Sequence, residues 1–460
     1  MTLNYLYEVI IIFGIIHLNY QKLLFVNVHF RHGARSSLYL IDNKNKDIFG
    51  NIWEKRGALT SKGKRQIFLN GIKHREKYYN FLSNKYIEDE IKSYSTDSYR
   101  AVSSLECYLN GLYHNDNINE NIIINNNETI YPPGDITNGM RQKVDELKIN
   151  AIPKDNHIIP INIFQKSEHA FGLHEPGRIS DCQTIAKIRE KNAIKNNFNE
   201  LEKNFKEKYI GKLNKYFSEN NITLKADFNF SYYQIHLLCD TLYSDYVDNR
   251  DLTKLNNQIN FDEFYNDCKN ILTIFQADYI SGDKDMVIMS QSPPMKKLIK
   301  WMDQRIALDK NGQSDKIVSG SPRFTIWSGH DSTISTFEMF MKNVFGTKFI
   351  FPSFCSTILF ELHKNEENNI YEIKYIINDE LFLTINYNDF KKKVLEIIWN
   401  EEKIEEFCQF SIIKSNEIEK IKIENIKYKK IIGVLMLIIL SSLSYNIYNL
   451  FKGRKKIKND

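Results

Sequence analysis

Near its start the chain reads Lys22-Leu-Leu-Phe-Val-Asn-Val-His-Phe30 and then passes at once into Arg31-His-Gly-Ala-Arg35. The centre of the first run is almost continuously apolar, which is typical of a parallel strand buried on both faces. A second short run, Arg323-Phe-Thr-Ile-Trp327, lies between Pro322 and the polar segment Ser328-Gly-His-Asp331. Both predicted strands therefore end in polar residues, at the carboxyl edge where open α/β sheets bind ligands.

Three helices are predicted between these strands from capping residues and prolines. They run from a cap at Thr60 through Tyr79, from a cap at Ser95 or Thr96 through Leu112, and from Pro293-Pro294 toward Leu308. Two later strands, Ser356–Leu362 and Tyr371–Ile377, are predicted because apolar and polar residues alternate in them. Strands that alternate with helices indicate an α/β fold, with a mostly parallel central sheet flanked by helices.

The middle of the chain differs from both ends of this pattern. From 115 to 282 it contains Asn-rich loops, helical stretches such as Ile185–Phe217 and Phe261–Phe275, and few convincing strands. We interpret this segment as an inserted, mainly helical cap domain. The α/β core is then made of residues 21–114 and 283–400.

An apolar block precedes the core. Val9–Ile16 has the length of the apolar part of a signal peptide and is too short to span a bilayer, so residues 1–20 are predicted to be a secretory signal. No Lys or Arg precedes the block, and no small-residue cleavage site follows it. A buried first strand is the alternative interpretation.

A longer apolar segment follows the core. Residues 431–451 have the length of roughly 20 residues that a helix needs to cross a bilayer, and we predict a transmembrane helix there. A stem at 401–430 would precede it and a short basic tail at 452–460 would follow it, while a core helix is the alternative. Basic residues flank both sides equally, so the predicted signal peptide must set the orientation and place the body on the lumenal or extracellular side.

Composition excludes several classes of protein. The chain has 460 residues, of which 42% are apolar, and this fraction can fill a buried core and argues against disorder. Its net charge is +5, but the tail 452–460 has five basic residues and one acidic residue, so the body is nearly neutral and no nucleic-acid partner is expected. Three glycosylation sequons, which begin at Asn127, Asn221 and Asn229, favour a glycoprotein.

The segment Arg31–Arg35 carries the densest chemistry. Arg31 and Arg35 flank His32 with two guanidinium groups, a pattern that suits a phosphate dianion because guanidinium donors match its oxygens and stay charged. The cations also disfavour the imidazolium form and leave His32 neutral, with a nitrogen free to attack phosphorus. Gly33 would let the backbone approach the ligand closely. A basic surface loop that holds a structural anion is the alternative from spacing alone.

Gly329-His330-Asp331 adds a second donor beside a carboxyl group, a combination used in acid–base catalysis. Its value lies in its placement beside the first motif. No metal is expected, because neither His29 with His32 nor His169 with His174 has a matching cluster of Asp, Glu or Cys. Arginines would supply the positive charge that a metal brings to a phosphoryl group.

Four blocks of sequence, in this order, resemble the histidine acid phosphatases, most closely the prostatic and lysosomal type. They are Phe30–Ser36, Trp53–Gly63, Ser95–Arg100 and Ser328–Asp331. The resemblance implies that His32 is a nucleophile that forms a phosphohistidine and that Asp331 protonates the leaving group. It also implies four groups that hold the phosphoryl oxygens, namely Arg31, Arg35, Arg100 and His330. Arg100 would lie in the first turn of a helix, where free backbone N–H groups favour an anion.

The chain departs from this family at Ser37, where the family usually has Pro, and a less rigid loop is expected there. Its six cysteines include no Cys-x-x-Cys pair, so spacing alone leaves them free or disulfide-bonded. The resemblance implies two disulfide bonds and two unassigned cysteines: Cys182–Cys408 and Cys239–Cys355, with Cys107 and Cys268 left over.

The sequence thus predicts a membrane-anchored acid phosphatase that hydrolyses phosphomonoesters of small molecules or phosphopeptides and needs no cofactor. Its compartment would be lysosome-like, another endomembrane compartment or the cell surface, and a homodimer is left open. One alternative is a phytase or inositol polyphosphate phosphatase of the same superfamily, which would want basic residues at the pocket rim where Ser36–Ile41 is uncharged. Another is a catalytically silent receptor for phosphorylated ligands, which would not need Asp331.

Overall fold

The structure is a computed structural model, and it describes residues 21–114, 142, 159–164, 182–195 and 197–408. This described part divides into two compact units. The first unit contains all described residues through Trp399 except 182–184, and the second consists of residues 182–184 and 400–408.

The first unit is built on a seven-stranded sheet. Its strands are β1 (Gln21–Arg31), β2 (Ile91–Thr96), β3 (Asn162–Phe164), β4 (Phe324–Gly329), β5 (Thr357–Asn365), β6 (Ile370–Ile377) and β7 (Glu380–Asn386). They lie in the order β3-β2-β4-β1-β5-β6-β7. Strands β1 to β4 are parallel, and β5, β6 and β7 are each antiparallel to the strand before them in the sheet, so five of the seven share one direction. The predicted α/β fold class is confirmed.

Helices connect and flank these strands. The described helices are α1 (Ser61–Lys77), α2 (Tyr99–Leu112), α3 (Gln183–Lys195), α4 (Phe198–Glu219), α5 (Tyr232–Val247), α6 (Thr253–Asn256), α7 (Phe261–Ile274), α8 (Lys284–Lys310), α9 (Asp331–Phe345), α10 (Tyr387–Ile397) and α11 (Glu401–Cys408). A π-helical turn, Phe275–Ile280, continues α7. Described residues from 183 to 280 form helices and no strand, whereas β3 falls inside the range predicted as the insertion and pairs with β2.

Strand β1 is buried on both faces, as its apolar sequence predicts. On one face Phe25 packs in a cluster with Trp301 of α8 and Phe337 of α9. On the other face Phe30 packs in a cluster with Leu105 of α2. Each such side chain contributes about 1.5–3 kcal/mol when it is fully buried, so the strand that leads into the first motif is firmly anchored.

Two predicted helix starts can be compared with the structure. Thr60 caps α1 as predicted, and its side chain accepts a hydrogen bond from the backbone N–H of Gly63. The predicted cap of the next helix is wrong, because Ser95 and Thr96 belong to β2 and α2 begins at Tyr99 after Ser98. Pairing of β2 with β4 takes these hydroxyl residues into the sheet.

The prediction that α8 begins at Pro293-Pro294 is also wrong. Asp283 caps the helix through the backbone N–H of Met286, and both prolines lie inside it. A proline inside a helix removes one backbone hydrogen bond and usually costs about 3 kcal/mol. The hydroxyls of Ser290 and Ser292 donate to the backbone carbonyls of Val287 and Ile288, in the turn before the prolines.

The second unit contains the Cys182–Cys408 disulfide bond, which confirms the pairing that the family resemblance implies. The other implied pairing, Cys239 with Cys355, is wrong. Sγ of Cys355 lies 3.5 Å from Oε1 of Gln66, whereas Sγ of Cys239 lies 2.6 Å from Sγ of Cys268. Cys239 of α5 therefore contacts Cys268 of α7, while Cys355 contacts Gln66 of α1.

Several predicted features at the chain ends lie outside the described residues: the signal peptide at 1–20, most of the stem, the apolar segment at 431–451 and the tail at 452–460. Among the residues that the structure describes, no helix combines the length and apolar character needed to cross a bilayer. Of the three sequons, Asn127 lies outside the described residues, and both Asn221 and Asn229 are exposed.

Candidate active site

Three strands end side by side at one edge of the sheet. Parallel pairing of β1 with β4 places Arg31 opposite Gly329, and the backbone N–H of His32 donates to the carbonyl of Gly329 at 3.0 Å. On the other side of β4, strand β2 places Ser95 opposite Ser328. The two motifs that the sequence places after β1 and β4 are therefore neighbours in space.

Helix α2 delivers Arg100 to the same edge. Arg100 is the second residue of α2, and only Ser98 and the turn around it separate that helix from β2. The Nε group of Arg100 donates to Nε2 of His32 at 3.0 Å, and its Nη2 lies 3.2 Å from Nδ1 of His330. Nε2 of His330 in turn lies 3.0 Å from the hydroxyl of Thr96. One guanidinium thus joins the two histidines.

The hydrogen bonds of His32 define which ring nitrogen carries the proton. Its Nδ1 lies 2.8 Å from the carbonyl oxygen of Gly33, which can only accept, so Nδ1 carries the proton. Nε2 accepts from Arg100 and therefore holds a lone pair. Burial lowers the pKa of His32 well below its usual value, and the charges of Arg100, Arg31 and Arg35 lower it further. His32 is a neutral imidazole whose Nε2 can act as a nucleophile.

Gly33 is required by packing against helix α1. A Cβ at this position would lie 2.2 Å from the carbonyl oxygen of Gly63, and a Cβ at Gly63 would lie 2.1 Å from the carbonyl oxygen of Ala34. Neither contact is sterically possible without a backbone shift. Sequence reasoning assigned Gly33 to close approach of a ligand, whereas the close approach seen here is that of α1, which holds the loop in place.

Arg31 is 1% exposed and is held from three sides. Its Nη2 forms an ion pair with Oδ2 of Asp331 at 2.8 Å, and its Nη1 donates to the carbonyl oxygen of Pro352 at 2.6 Å. The guanidinium carbon lies 4.2 Å from the centre of the Phe354 ring, within range of a cation–π interaction. These contacts orient the guanidinium and offset part of the cost of burying its charge.

Arg35 is also almost fully buried, and its main partner lies in helix α5. Nη2 of Arg35 donates to both carboxylate oxygens of Asp240, at 2.8 and 3.0 Å. Nη1 lies 3.3 Å from the hydroxyl of Ser244, one turn further along α5. A carboxylate that accepts two hydrogen bonds from a guanidinium group fixes the plane of that group, so α5 positions Arg35.

Ser37, at the position where a proline was expected, is held by hydrogen bonds. It is fully buried, its hydroxyl lies 2.8 Å from that of Thr241 in α5, and it accepts from the backbone N–H of Tyr39 at 3.0 Å. The expected loss of rigidity is therefore compensated, because side-chain hydrogen bonds restrain the loop where a ring would otherwise do so.

Asp331 begins helix α9, directly after the capping residue His330. Its side chain is 23% exposed and makes the ion pair with Arg31. Burial raises the pKa of Asp331, but the charges of Arg31 and Arg35, a hydrogen bond from the backbone N–H of Ser332 and the charge of Arg100 together outweigh burial, and the net pKa lies below the usual value. In the ligand-free protein Asp331 is therefore an anion at neutral pH.

All six residues singled out in the sequence lie together: Arg31, His32, Arg35, Arg100, His330 and Asp331. Sequence reasoning missed Asp240 and Phe354, which hold two of the arginines. No spacing links either residue to the motifs, although an aspartate at the centre of the buried helix α5 is itself unusual. In the part of the chain that the structure describes, no group of three or more His, Cys, Asp and Glu side chains could hold a metal ion.

The arrangement is suited to a tetrahedral dianion. Three guanidinium groups and two helix N-termini, those of α2 and α9, supply positive charge and donors. A neutral imidazole nitrogen lies among them, and a carboxyl group lies at a partly exposed position from which it can reach an ester oxygen. These are the groups that a metal-independent transfer of a phosphoryl group requires.

Comparisons with known proteins agree with this geometry. Residues 22–378 match the profile described as "Histidine phosphatase superfamily (branch 2)". The testicular acid phosphatases of Homo sapiens and Mus musculus are 37% and 38% identical to the chain over 94 residues. Each match covers 20% of this chain and 22% of the relative, so the chain matches less than a quarter of the length of these relatives.

Solved structures with the same fold include two bacterial phytases. The phytase of Citrobacter braakii has a TM-score of 0.53 and 12% identity, over 84% of this chain and 99% of that one. The Hafnia alvei phytase in complex with myo-inositol hexakis sulphate has a TM-score of 0.52 and 12% identity, over 85% of this chain and 99% of that one. At this identity the similarity shows the fold alone.

Proposed function

The chain belongs to the histidine phosphatase superfamily, branch 2, and from this premise we propose that it is an acid phosphatase that hydrolyses phosphomonoesters through a phosphohistidine on His32. The observation that carries the proposal is the hydrogen bond from Arg100 to Nε2 of His32, together with the contact between Nδ1 and the Gly33 carbonyl. These two bonds select the tautomer that can attack phosphorus and aim its lone pair at the arginine cluster.

In the first step Nε2 of His32 attacks phosphorus, and the bond from phosphorus to the ester oxygen breaks. Arg31, Arg35, Arg100 and His330 hold the phosphoryl oxygens and stabilise the charge that develops on them. The carboxyl group of Asp331 gives its proton to the departing oxygen, so that an alcohol leaves. In the second step water attacks the phosphohistidine, Asp331 takes a proton from it, and phosphate is released.

Asp331 can act as an acid only if its carboxyl group becomes protonated in the complex with substrate. In the ligand-free protein the neighbouring arginines lower the pKa of Asp331. A bound phosphoryl group partly neutralises these arginines and places negative charge near the carboxylate, and both effects raise its pKa. Acidic conditions assist in the same direction, which supports an acid phosphatase over a phosphatase with a neutral optimum.

A second candidate is an inositol polyphosphate phosphatase of the same superfamily. The uncharged segment after Arg35 opposes it only in part, because Ser36 and Ser37 are buried and form no rim, while residues 38–41 are half-buried. Lys55 favours it, since its Nζ lies 5.9 Å from the ring of Tyr99, the exposed residue just before Arg100. If this candidate is correct, Lys55→Ala will lower kcat/KM for inositol hexakisphosphate and leave p-nitrophenyl phosphate unchanged.

The proposed location rests on the sequence. The apolar segments at 1–20 and 431–451 support secretion and a single membrane anchor, with the catalytic body on the lumenal or outer side. The exposed sequons at Asn221 and Asn229 suit that side. A chain that ends at about Lys430 should be released into the medium as an active glycoprotein. After carbonate extraction, none of this shortened chain should remain in the membrane fraction.

The test of the chemistry is to trap the intermediate. Wild-type protein is mixed with a labelled phosphomonoester, quenched in alkaline denaturant, which preserves phosphohistidine, and digested for mass spectrometry. We expect one phosphorylated peptide that contains His32. His32→Ala should lose this peptide and turn over roughly 10⁴-fold more slowly or worse, yet still bind phosphate. A receptor without catalysis would give neither turnover nor a trapped peptide.

A further inference from the structure

We propose that Cys239 and Cys268 form a disulfide bond between α5 and α7, and that this bond steadies the helix that holds Arg35. Their Sγ atoms lie 2.6 Å apart, and no bond is drawn between them in the structure. This separation is shorter than two sulfur atoms can adopt without a bond, while a disulfide bond is about 2.05 Å long. Only a small movement of the two side chains is needed to form it.

The surroundings of the two sulfur atoms favour a bond over any other use. Cys239 and Cys268 are 0% and 2% exposed and belong to one hydrophobic cluster, with Phe264 and Leu272 of α7 among its members. No carboxylate or imidazole in the described residues joins them to make a metal site. Two thiols in contact inside an apolar core have each other as their natural partners.

The bond would act on the active site through helix α5. Asp240, the residue after Cys239, makes the paired hydrogen bonds to Arg35, and Ser244 contacts Arg35 as well. Thr241 contacts Ser37 in the loop that follows Arg35. Three residues of one helix therefore set the position of the loop, and a covalent bond from that helix to α7 limits its movement.

Formation of the Cys239–Cys268 bond requires an oxidant of the disulfide class, such as an oxidised dithiol protein or glutathione disulfide. One thiolate attacks the oxidant and forms a mixed disulfide, and the second thiolate then displaces the oxidant. The two cysteines lose two protons and two electrons, and the oxidant is reduced to two thiols. The same oxidant class would form the Cys182–Cys408 bond.

This thiol–disulfide exchange takes place while the protein folds. Burial raises the pKa of the Cys239 thiol well above its usual value, so the folded protein has almost no thiolate at that position. The bond must form before α5 and α7 close around it, and it should afterwards resist reductants until the protein is unfolded. Cys355 and Cys107 lack a sulfur partner and stay thiols.

Peptide mapping of the purified full chain tests the bond and does not depend on enzyme activity. The protein is denatured with N-ethylmaleimide and no reductant, then digested for mass spectrometry. We expect a cross-linked peptide pair with Cys239 and Cys268, alkylated Cys107 and Cys355, and an intact Cys182–Cys408 pair as proof of oxidising conditions. Alkylation of both Cys239 and Cys268 in such a sample, or a Cys239–Cys355 pair, overturns the proposal.

The effect on Arg35 is tested by binding of inorganic phosphate. Cys268→Ala should lower Tm by a few degrees and raise the dissociation constant for phosphate about threefold or more, measured by calorimetry. Cys107→Ala removes a thiol from α2 at a position outside both the core pair and the arginine cluster, and both quantities should stay as in the wild type. An unchanged phosphate constant in Cys268→Ala overturns the link from the bond to Arg35.

Discussion

Nη2 of Arg35 donates to both carboxylate oxygens of Asp240, with hydrogen bonds of 2.8 and 3.0 Å. The two residues are separated by 205 positions in the sequence, and both are almost fully buried. A buried cation without a partner is strongly destabilising, so Asp240 makes it possible to keep Arg35 inside the protein. The same contact fixes the orientation of the guanidinium group, so α5 determines the direction in which its other N–H groups point.

Asp240→Asn tests this role. The amide keeps the size of the side chain but can accept with one oxygen only, and it leaves the charge of Arg35 unpaired. We expect kcat/KM to fall about 10- to 100-fold, mainly through KM, and Tm to fall as well, since breaking a buried ion pair costs about 3–5 kcal/mol. Asp379→Asn, which breaks the surface pair with Lys73, is the matched control and should change neither quantity. An active-site role is contradicted if both variants behave alike.

The elements that were predicted correctly are those whose burial is evident from the pattern of apolar residues in the sequence. Strands β1 and β4 have apolar runs and β5 and β6 have alternating patterns, and all four are found close to the expected positions. Thr60 caps α1 because a threonine side chain suits that position in any context. The motifs proposed to be catalytic are short and contiguous, so their residues could be named before their positions in space were known.

Strand β2 could not be predicted from its own residues. Ile91-Lys-Ser-Tyr-Ser-Thr96 has one aliphatic residue, and its hydroxyl groups are buried because they find hydrogen bonds in the folded protein. Ser93, for example, donates to the carbonyl of Pro160. Asp240 is a similar case, since its reason for being buried is a cation that lies far away in the sequence. Such positions are decided by tertiary contacts, which a local pattern does not contain.

The pH dependence of catalysis follows from the lowered pKa values of His32 and Asp331. His32 must be neutral to attack, and because its pKa lies well below 6.5 it stays neutral through the mildly acidic range. Asp331 must carry a proton, and because its pKa is lowered the protonated fraction falls steadily as pH rises. We expect kcat/KM for an alkyl phosphate to rise without interruption from pH 7 to pH 5. An acid limb centred near pH 6.5 would show that His32 titrates normally.

Glu338 predicts an effect on stability that is independent of catalysis. It lies in α9 at 1% exposure, and burial raises its pKa from 4.5 to about 8 although the backbone N–H of Ile350 donates to Oε2. Because the folded pKa is above the unfolded one, the folded state is favoured at low pH and loses stability as pH rises from about 4.5 to 8. Glu338→Gln, which keeps an oxygen for Ile350, should remove this loss.

The measurement for Glu338 is the free energy of unfolding in urea at pH 5 and pH 8. At pH 8 Glu338→Gln should be more stable than the wild type, by a few kcal/mol at most, and near pH 5 the two should be nearly equal. Glu366→Gln changes an exposed glutamate and should leave the wild-type difference between the two pH values intact. Equal pH dependence in wild type and Glu338→Gln would mean that the buried carboxyl finds a partner for its charge.

The last prediction separates two roles of Asp331, as an acid and as a partner of Arg31. Asp331→Asn removes the proton and the charge, but Arg31 keeps its hydrogen bond to the Pro352 carbonyl and its contact with Phe354, so the phosphate site should survive. Loss of a carboxylate beside the anion should even tighten inhibition by inorganic phosphate. Alkyl phosphates, whose alkoxide leaves poorly without a proton, should lose roughly 10²- to 10⁴-fold in kcat. p-Nitrophenyl phosphate, whose phenolate leaves almost unaided, should lose much less, and the ratio of the two losses is the quantity to measure. Equal losses on both substrates, with phosphate inhibition weakened, would mean that Asp331 serves to position Arg31 or water and that another group gives the proton.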